Sequence, residues 1–265
     1  MLNKPYIVAV IPARGASTRL PAKPLIDLCG KPMIQHVYER TAMATLVDRV
    51  TVATDNERIA ETIRKFGGEV IMTPAEIQSG SDRVAHVAKY LTDADIIVNI
   101  QADEPLIAPQ MIDEAIRPMS ENLQQKSPKK DFWVGTLAKK IASAEDLQNP
   151  NVVKVVIDVA GFAIFFSRSP IPYMRDGADK NRWHLQYPYY KHIGLYVFKK
   201  DFLTHFATWK ESALESVEKL EQLRIIEHGY KIKVALTEFD SIPVDTPDDV
   251  ERVRNLMQQT TIKQL

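Results

Sequence analysis

An apolar segment that runs directly into a basic, proline-rich loop opens this chain. Tyr6 to Ile11 is predicted to be a short buried strand, and the loop from Ile11 to Pro24 reads IPARGASTRLPAKP. Arg14, Arg19 and Lys23 place three cations within ten residues of this loop. A strand that leads into such a loop is typical of α/β proteins, which hold anionic ligands at the carboxyl edge of the sheet. The segment therefore predicts an α/β fold with a phosphate site.

The loop differs from the two common phosphate-binding loops, because the sequence contains neither GxxxxGK[ST] nor GxGxxG. Pro12, Pro21 and Pro24 fix the backbone φ at three points and remove three N–H donors. Side-chain cations must therefore supply more of the phosphate contact than they do in a glycine-rich loop. A solvated basic loop that binds no ligand is the alternative interpretation of these residues taken alone.

The composition limits the partners that this chain can have. It has 265 residues, of which 45% are apolar and 26% charged, as is ordinary for one large α/β domain or two small ones. The 34 basic residues balance the 34 acidic ones, so no global field favours a nucleic acid or an anionic membrane. We therefore expect no nucleic-acid partner and no membrane partner, and any basic site must be a local cluster.

The cysteine content and the apolar segments predict where the protein works. Cys29 is the single cysteine, which excludes an internal disulfide and a cysteine-rich zinc site and fits a reducing compartment. We expect it to be a small core residue. The N-terminal apolar segment is too short for a signal peptide, and no run approaches the ~18 apolar residues of a membrane span. These features predict a soluble cytoplasmic protein.

Predicted strands and helices alternate along the first half of the chain. After the loop we expect a helix that begins at Pro32, and then the strands 50–54, 69–72 and 96–100 with helices between them. Ser81 is expected to cap the helix that follows the polar turn Gln78 to Arg83. This alternation predicts a parallel sheet with helical crossovers.

From Phe132 onward the pattern becomes rich in strands. Val152 to Ile157 and Phe162 to Phe166 are predicted to form a hairpin. Ser169 to Tyr190 contains several prolines and aromatic residues, so we expect it to lack regular structure and to form an arm or a lid. Leu214 to His228 is predicted to be one helix. The sheet is therefore expected to be mixed, with an added β-rich portion.

Two aspartates are the strongest candidates for a metal site. Asp103 follows the apolar run 96–100, Asp245 lies in the sequence VDTP, and each therefore sits in a turn that contains proline. Polar residues beyond the end of a buried parallel strand are where α/β ligand sites lie. Mg²⁺ binds a few carboxylate oxygens together with water and substrate phosphates, so the two aspartates facing the basic loop would suit a metal and triphosphate site. For Asp245, a helix N-cap is the alternative interpretation.

A second group of polar residues lies in the later part of the chain. It consists of Arg168, His192, Tyr196, Glu221 and Gln222. Positions four apart on a strand share a face, so His192 and Tyr196 are expected to point the same way. A cation together with neutral donors and acceptors would suit a ligand with a carboxylate and several hydroxyls. The alternative interpretation is a hydrogen-bonded histidine, a partly buried tyrosine and a solvated helix face.

Eight segments span nearly the whole sequence, and in chain order they read IPARGASTRLPAKPL, QSGSDR, VNIQADEP, NPNVVKVV, FFSRSPIP, HIGLY, LEQLR and VDTPDDVERVR. Together they resemble one enzyme family, that of CMP-Kdo synthetase or 3-deoxy-manno-octulosonate cytidylyltransferase. Each segment alone is a weak signal, but the joint pattern is highly specific.

The resemblance implies a fold and an activity. The fold would be a single nucleotidyltransferase domain over 1–265, of the nucleotide-diphospho-sugar transferase-like type, with a mixed and mainly parallel sheet flanked by helices. The β-rich portion at roughly 132–200 would contribute to sugar binding and to a homodimer. The enzyme would combine CTP with Kdo (3-deoxy-D-manno-octulosonate), with Mg²⁺ as cofactor, and release CMP-Kdo and pyrophosphate. This reaction activates Kdo for lipopolysaccharide biosynthesis.

The resemblance also implies roles for individual residues. Asp103 and Asp245 would bind the metal, and with Arg14 and Lys23 they would form the catalytic set. The nucleotide would contact the loop and the polar turn, through Arg14, Ser17, Arg19, Lys23, Gln78, Ser79, Gly80 and Arg83. The sugar acid would contact Gln101, Arg168, His192, Tyr196, Glu221 and Gln222.

The sequence departs from the family pattern at three small residues. Gly15 stands where a bulky residue is frequent, and Ala22 and Ala102 stand where glycine is frequent. Ala102 could disfavour a positive φ beside Asp103, which affects the local backbone and not the aspartate itself.

Several alternative functions remain to be separated by experiment. They are a cytidylyltransferase for another acidic sugar such as sialic acid, a pyrophosphorylase that uses UTP or GTP, and a non-catalytic nucleotide-binding module. A metal-dependent glycosyltransferase would need a DxD pair at a strand end, and Asp93 and Asp95, which have that spacing, precede their strand.

Overall fold

The protein divides into two compact units. Its structure is a computed structural model that describes residues 4–15, 20–125 and 131–262, with side chains up to residue 259. The first unit comprises Pro5–Asp113 and Asp240–Leu265, and the second comprises Met1–Lys4 and Glu114–Phe239. A single domain over 1–265 stays a prediction.

The first unit is built on a parallel sheet. Its strands are β1 (Ile7–Ala13), β2 (Asp27–Leu28), β3 (Lys31–Pro32), β4 (Arg49–Thr54), β5 (Val70–Met72) and β6 (Ile96–Asn99). The order is β6-β1-β4-β5 with all neighbours parallel, and β2 pairs with β3 in a small antiparallel ladder. The apolar side chains from Ile7 to Ile11 are completely buried because both faces of β1 are covered, which explains why this strand reads as a continuous apolar run.

Helices cover the sheet of the first unit. They are α1 (Met33–Ala42), α2 (Glu57–Lys65), α3 (Gly80–Ala88) and α4 (Pro109–Leu123), and α4 contains the boundary between the units. Asn56 caps α2 by accepting a hydrogen bond from the backbone N–H of Ile59, and Gly67 with its positive φ follows the helix end. In the described part of the chain, no helix has the length and the apolar character that crossing a membrane requires.

The second unit has a mixed sheet. Its strands are β7 (Val134–Lys140), β8 (Lys154–Ile157), β9 (Ala163–Ser167), β10 (Tyr190–Lys199) and β11 (Ile232–Leu236). β11 is parallel to β7, while β7, β10, β8 and β9 pair antiparallel in that order. The short helices α5 (Ala144–Gln148), α6 (Trp183–Gln186), α7 (Lys200–Phe206), α8 (Ala213–Glu218) and α9 (Gln222–Glu227) complete the unit. The predicted α/β class and the β-rich character of 132–200 are confirmed.

The C-terminal segment returns to the first unit and ends in α10 (Pro247–Ile262). Val244, Val250 and Val253 pack against Leu28 and Met33 in one buried apolar cluster. The backbone N–H of Val244 also donates to the carbonyl oxygen of Asp103 at 2.9 Å. Apolar burial and one backbone hydrogen bond therefore fix the position of the neighbouring residue, Asp245.

Two predictions about helices are wrong. Ser79 caps α3, and not Ser81, because the Ser79 hydroxyl accepts from the backbone N–H of Asp82 while Ser81 is buried inside the first turn. The predicted helix 214–228 is two helices, α8 and α9. Lys219 adopts a left-handed conformation with φ of +52° and ends α8, which lets Leu220 become buried.

Other differences concern short elements and the cysteine. The segment 169–190 is mostly irregular, but it contains a 3₁₀ turn at Lys180–Arg182 and the helix α6. The short elements β2, β3, α5 and α7 carry too little periodicity to be predicted from the sequence. Cys29 is exposed and has a φ of +54°, because it lies in the turn between β2 and β3, and the expectation of a core residue is wrong.

Candidate active site

A cavity of about 410 Å³ lies in the first unit where β1 and β6 end. Its walls come from the basic loop, the turn that begins α3, the segment after β6 and the segment before α10. Nine of the predicted site residues line it: Arg14, Lys23, Gln78, Ser79, Gly80, Arg83, Gln101, Asp103 and Asp245. This position agrees with the rule that ligands of open α/β sheets bind beyond the carboxyl ends of the strands.

Lys23 connects the two aspartates of this cavity. Its Nζ donates to Asp103 Oδ2 at 2.6 Å and to Asp245 Oδ1 at 2.9 Å, and its side chain is 14% exposed. Ala22 precedes it with a φ of +52°, which explains why glycine suits this position and which starts the 3₁₀ turn Lys23–Leu25. The structure thus brings together two carboxylates that are far apart in sequence.

The residues around Lys23 fit a divalent metal. The two carboxylates converge on one positive charge, the lysine ammonium, which marks a place where a cation is stabilised. Among the described residues there is no cluster of three or more acidic, histidine or cysteine side chains. Mg²⁺ does not require such a cluster, because it keeps several waters and is commonly bound through one or two carboxylates and substrate phosphates.

The basic loop is held at its start by Asp55. The backbone N–H of Gly15 donates to Asp55 Oδ1 at 3.0 Å, and Arg14 Nη1 makes a long contact of 3.5 Å with the carbonyl oxygen of Gln78. A Cβ atom at Gly15 would lie 2.9 Å from Asn56 Cβ, so a larger residue here would force the Asn56 side chain to move. Ser17 and Arg19, both predicted to bind the nucleotide, lie outside the described residues.

Arg83, in the first turn of α3, also contacts Asp55. Its side chain is 2% exposed, and its Nη2 donates to Asp55 Oδ2 at 2.8 Å and to the carbonyl oxygen of Ile77 at 2.9 Å, while Nη1 contacts Thr73. Asp55 therefore ties the basic loop to the turn before α3. Sequence reasoning missed this role, although Asp55 follows β4 just as Asp103 follows β6, and that position was the available signal.

Glu104, the neighbour of Asp103, anchors the segment that carries Asp245. The Ser241 hydroxyl donates to Glu104 Oε1, and burial raises the pKa of Glu104 to about 7, with a smaller contribution from the charge of Asp103.

The alanine at position 102 causes no backbone strain, because Ala102 is not among the described non-glycine residues with positive φ.

The second unit holds the other group of predicted residues. His192 and Tyr196 lie on β10, with ring centroids 5.4 Å apart, and Phe166 packs edge-on against His192 at 5.0 Å. A bulge between Ile193 and Tyr196 changes the register, so that His192 opposes Ala138 and Tyr196 opposes Thr136, which lies only two positions from Ala138 on β7. In a regular strand, residues four apart would be separated by about 13 Å. The bulge therefore makes neighbours of the two rings.

Burial sets the protonation of this pair. It lowers the pKa of His192 to about 3, so the ring is neutral at physiological pH although part of its surface is exposed. Burial is the main cause that raises the pKa of Tyr196 well above its usual value, and the charge of Glu221 adds a smaller contribution. The phenol therefore keeps its proton. Glu221 is the N-cap residue of α9, and the adjacent Gln222 has a buried Nε2 without a hydrogen-bond partner among the described residues. Neutral donors and acceptors of this kind suit ligand hydroxyls.

Arg168 is oriented by contacts at the end of β9. Its Nε donates to the carbonyl oxygen of Glu218 at 2.7 Å and its Nη1 to that of Pro150 at 3.0 Å. The Glu218 carboxylate accepts from the backbone N–H of Arg168 and from the Ser167 hydroxyl. The completely buried Lys154 lies nearby, and burial, partly opposed by the charge of Glu218, lowers its pKa to about 8. A fixed guanidinium is well suited to bind a carboxylate.

Comparisons with known proteins agree on one family. The family described as Cytidylyltransferase matches residues 8–232. The 3-deoxy-manno-octulosonate cytidylyltransferase of Geobacter sulfurreducens is 52% identical over 251 residues, which cover 93% of this chain and 97% of that protein.

Solved structures support the same assignment. A structure of CMP:2-keto-3-deoxy-manno-octonic acid synthetase complexed with CTP has a TM-score of 0.86 and 40% identity, covering 96% of this chain and 99% of that one. The 4-diphosphocytidyl-2C-methyl-D-erythritol synthase of Anaerococcus prevotii shares the fold, with a TM-score of 0.63 at 14% identity over 97% of this chain and all of that one. The chain therefore belongs to the cytidylyltransferases, and within them to the 3-deoxy-manno-octulosonate cytidylyltransferase family.

Proposed function

We propose that this protein transfers CMP from CTP to Kdo and releases CMP-Kdo and pyrophosphate. The observation that carries the proposal is the convergence of Asp103 and Asp245 on Lys23 at the wall of the cavity. The names of relatives at about half identity over nearly the whole chain support Kdo over sialic acid as the acceptor.

The reaction is a direct transfer of a nucleotidyl group, and it needs no protein nucleophile. The anomeric hydroxyl of Kdo attacks the α-phosphorus of CTP in line and loses its proton to water, the new C–O–P bond forms, the bond from the α-phosphorus to the bridging β-phosphate oxygen breaks, and pyrophosphate leaves. Asp103 and Asp245 would hold Mg²⁺, which when bound supplies Lewis-acid stabilisation of charge on the phosphates. Lys23 and Arg14 neutralise charge that develops on the leaving group.

The residues of the second unit would bind the sugar acid. Arg168 pairs with its carboxylate, while the neutral His192 and the protonated Tyr196 exchange hydrogen bonds with its hydroxyls. The remaining members of the proposed set are Gln101, Glu221 and Gln222. Gln101 lines the cavity of the first unit, whereas Glu221 and Gln222 belong to the second unit.

The setting of this reaction is part of the proposal. We expect a homodimer in the cytoplasm that uses Mg²⁺, contacts neither nucleic acid nor membrane, and supplies activated Kdo for lipopolysaccharide biosynthesis. The β-rich portion at about 132–200 would contribute to the dimer, which sedimentation equilibrium would detect directly.

A pyrophosphate-release assay tests the function. Purified protein is incubated with CTP and Kdo, with and without Mg²⁺, and in parallel with sialic acid, UTP and GTP. We expect release that requires CTP, Kdo and Mg²⁺ together. Release with sialic acid and not with Kdo would identify sialic acid as the acceptor. No release with any acidic sugar would indicate a non-catalytic binding protein.

A further inference from the structure

The hydroxyl of Thr136 lies at the centre of the bulge in β10. Thr136 is on β7, is 1% exposed, and its Oγ1 lies 2.8 Å from the carbonyl oxygen of Leu195 and 3.2 Å from that of Ile193. The same oxygen lies 3.0 Å from Nε2 of His192. One buried hydroxyl therefore contacts both the bulge and the ring that the bulge places beside Tyr196.

The number of protons decides the direction of these hydrogen bonds. A hydroxyl has one hydrogen to donate, and carbonyl oxygens can only accept. All three contacts are hydrogen bonds only if Thr136 donates to the carbonyls, of which that of Leu195 is nearest, and accepts from Nε2–H of His192. If the hydroxyl instead donated to Nε2, both carbonyl contacts would lose their proton.

We propose that Thr136 is a positioning residue that holds His192 in the Nε2–H tautomer and fixes the backbone of the bulge in β10 through its hydrogen bonds to the bulge carbonyls. His192 Nδ1 is then left with a lone pair, and no described residue donates a hydrogen bond to it. This nitrogen accepts a hydrogen bond from a ligand hydroxyl. The identity of that ligand as the sugar acid rests on the proposed function, whereas the tautomer does not.

The neutral state of the ring is consistent with this assignment. Burial lowers the pKa of His192, so the ring carries one proton at neutral pH, and which nitrogen holds it is set by the partner of the other. The rings of Phe166 and Tyr196 pack against the imidazole and restrict its orientation. A fixed ring whose remaining nitrogen can only accept selects a ligand group that donates, such as a hydroxyl, over one that only accepts, such as a carboxylate oxygen.

NMR of the imidazole nitrogens tests the tautomer directly. Uniformly ¹⁵N-labelled protein is studied by long-range ¹H–¹⁵N correlation, with the His192 signals assigned by their loss in His192→Gln. We expect a protonated Nε2 and an unprotonated Nδ1 in the unmodified chain. The variant Thr136→Val keeps the shape of the side chain but removes the hydroxyl, and should shift the ring toward the other tautomer. Thr136→Ser retains the hydroxyl and should restore the original signals.

Kinetics separate positioning from general damage. In Thr136→Val we expect the KM for Kdo to rise about tenfold, as for the loss of one oriented hydrogen bond, while the KM for CTP changes less than about twofold. An Nδ1–H ring in the unmodified protein would overturn the proposal, as would unchanged nitrogen signals in Thr136→Val or an equal rise of both KM values. If Thr136→Val fails to fold, the tautomer of the unmodified protein still decides, and it does so even if Kdo is not the substrate.

Discussion

Lys23 illustrates how one side chain can mark the place of a ligand. Its ammonium group forms ion pairs with two carboxylates whose residues are separated by 142 positions in sequence, Asp103 and Asp245. In the proposed reaction, the same ammonium group would bind the phosphates of CTP. The three residues thus form one set, and removal of any one changes the charge that the others experience.

Substitution of either aspartate should abolish turnover but not folding. In Asp103→Asn and Asp245→Asn we expect the rate of pyrophosphate release to fall at least about a hundredfold, because a ligand for the proposed Mg²⁺ is lost. Both carboxylates are partly exposed, so the far-UV circular dichroism spectrum should not change. Asp131→Asn is a matched control, because Asp131 also pairs with a lysine, Lys199, at 2.6 Å but in the second unit. Near-normal rates in either active-site variant would contradict the assignment.

His192 should make the stability of the protein depend on pH. Its pKa is about 3 in the folded protein and about 6.5 when unfolded, so the unfolded state binds more protons between these values. The free energy of unfolding therefore rises with pH through this window, and stability is lost as the pH falls from about 6.5 toward 3. Urea denaturation at several pH values measures the slope, which should be shallower in His192→Gln. Equal slopes would mean that the ring is not buried neutral.

Connections between elements matter as much as the elements themselves in the first unit. The basic loop follows β1, the Asp55 carboxylate follows β4, and Arg83 lies in the first turn of α3. The Asp55 carboxylate links the loop to the helix through one backbone hydrogen bond and one buried ion pair. Its contribution is to hold the loop in place, and it need not touch the nucleotide.

Removal of the Asp55 charge should loosen this link. In Asp55→Asn we expect the free energy of unfolding to fall by about 2–3 kcal/mol, because the guanidinium of Arg83 stays buried without its full counter-charge. The KM for CTP should rise as the loop loses its anchor. Glu69→Gln is the matched control, since it breaks the more exposed pair with Arg49 and should cost less than about 1 kcal/mol. Similar losses in both variants by urea denaturation would argue against a special role for Asp55.

Secondary-structure elements with strong patterns were predictable, and irregular ones were not. The strands β1, β4, β5 and β6 are short apolar runs next to recognisable turns, which is why their positions agree with the predictions. The break at Lys219 could not be foreseen, because a lysine occupies the left-handed position that usually signals itself by glycine. The bulge in β10 was equally hidden, since it depends on the buried hydroxyl of Thr136 on another strand.

At the scale of the whole molecule, the candidate site joins distant parts of the chain. The residues Asp103 and Asp245 could be proposed from their turns and from the family resemblance, but their meeting depends on apolar packing of the C-terminal segment against Leu28 and Met33. Such long-range packing leaves no local pattern in the sequence. The same limit applies to Asp55, whose partners Gly15 and Arg83 lie 40 and 28 positions away.

A global measurement should reveal the cation site without reference to catalysis. In Lys23→Met the two carboxylates face each other without the ammonium group, so we expect a lower free energy of unfolding at low ionic strength. Added Mg²⁺ should raise the stability of this variant more than that of the unmodified protein, because a bound ligand stabilises the folded state by mass action. Urea denaturation with Mg²⁺ or an equal ionic strength of NaCl distinguishes binding from screening. An equal effect of both salts would count against the site.

The return of the C-terminal segment to the first unit has a consequence during synthesis. The ribosome makes the basic loop and Asp103 early. Asp245 and the buried valines around it, Val244, Val250 and Val253, are translated only after the residues 114–239 of the second unit. A nascent chain therefore cannot display the complete acidic pair until the second unit has been made. Translation products that stop before Asp245 should therefore consume no nucleotide, because they lack one of the two carboxylates.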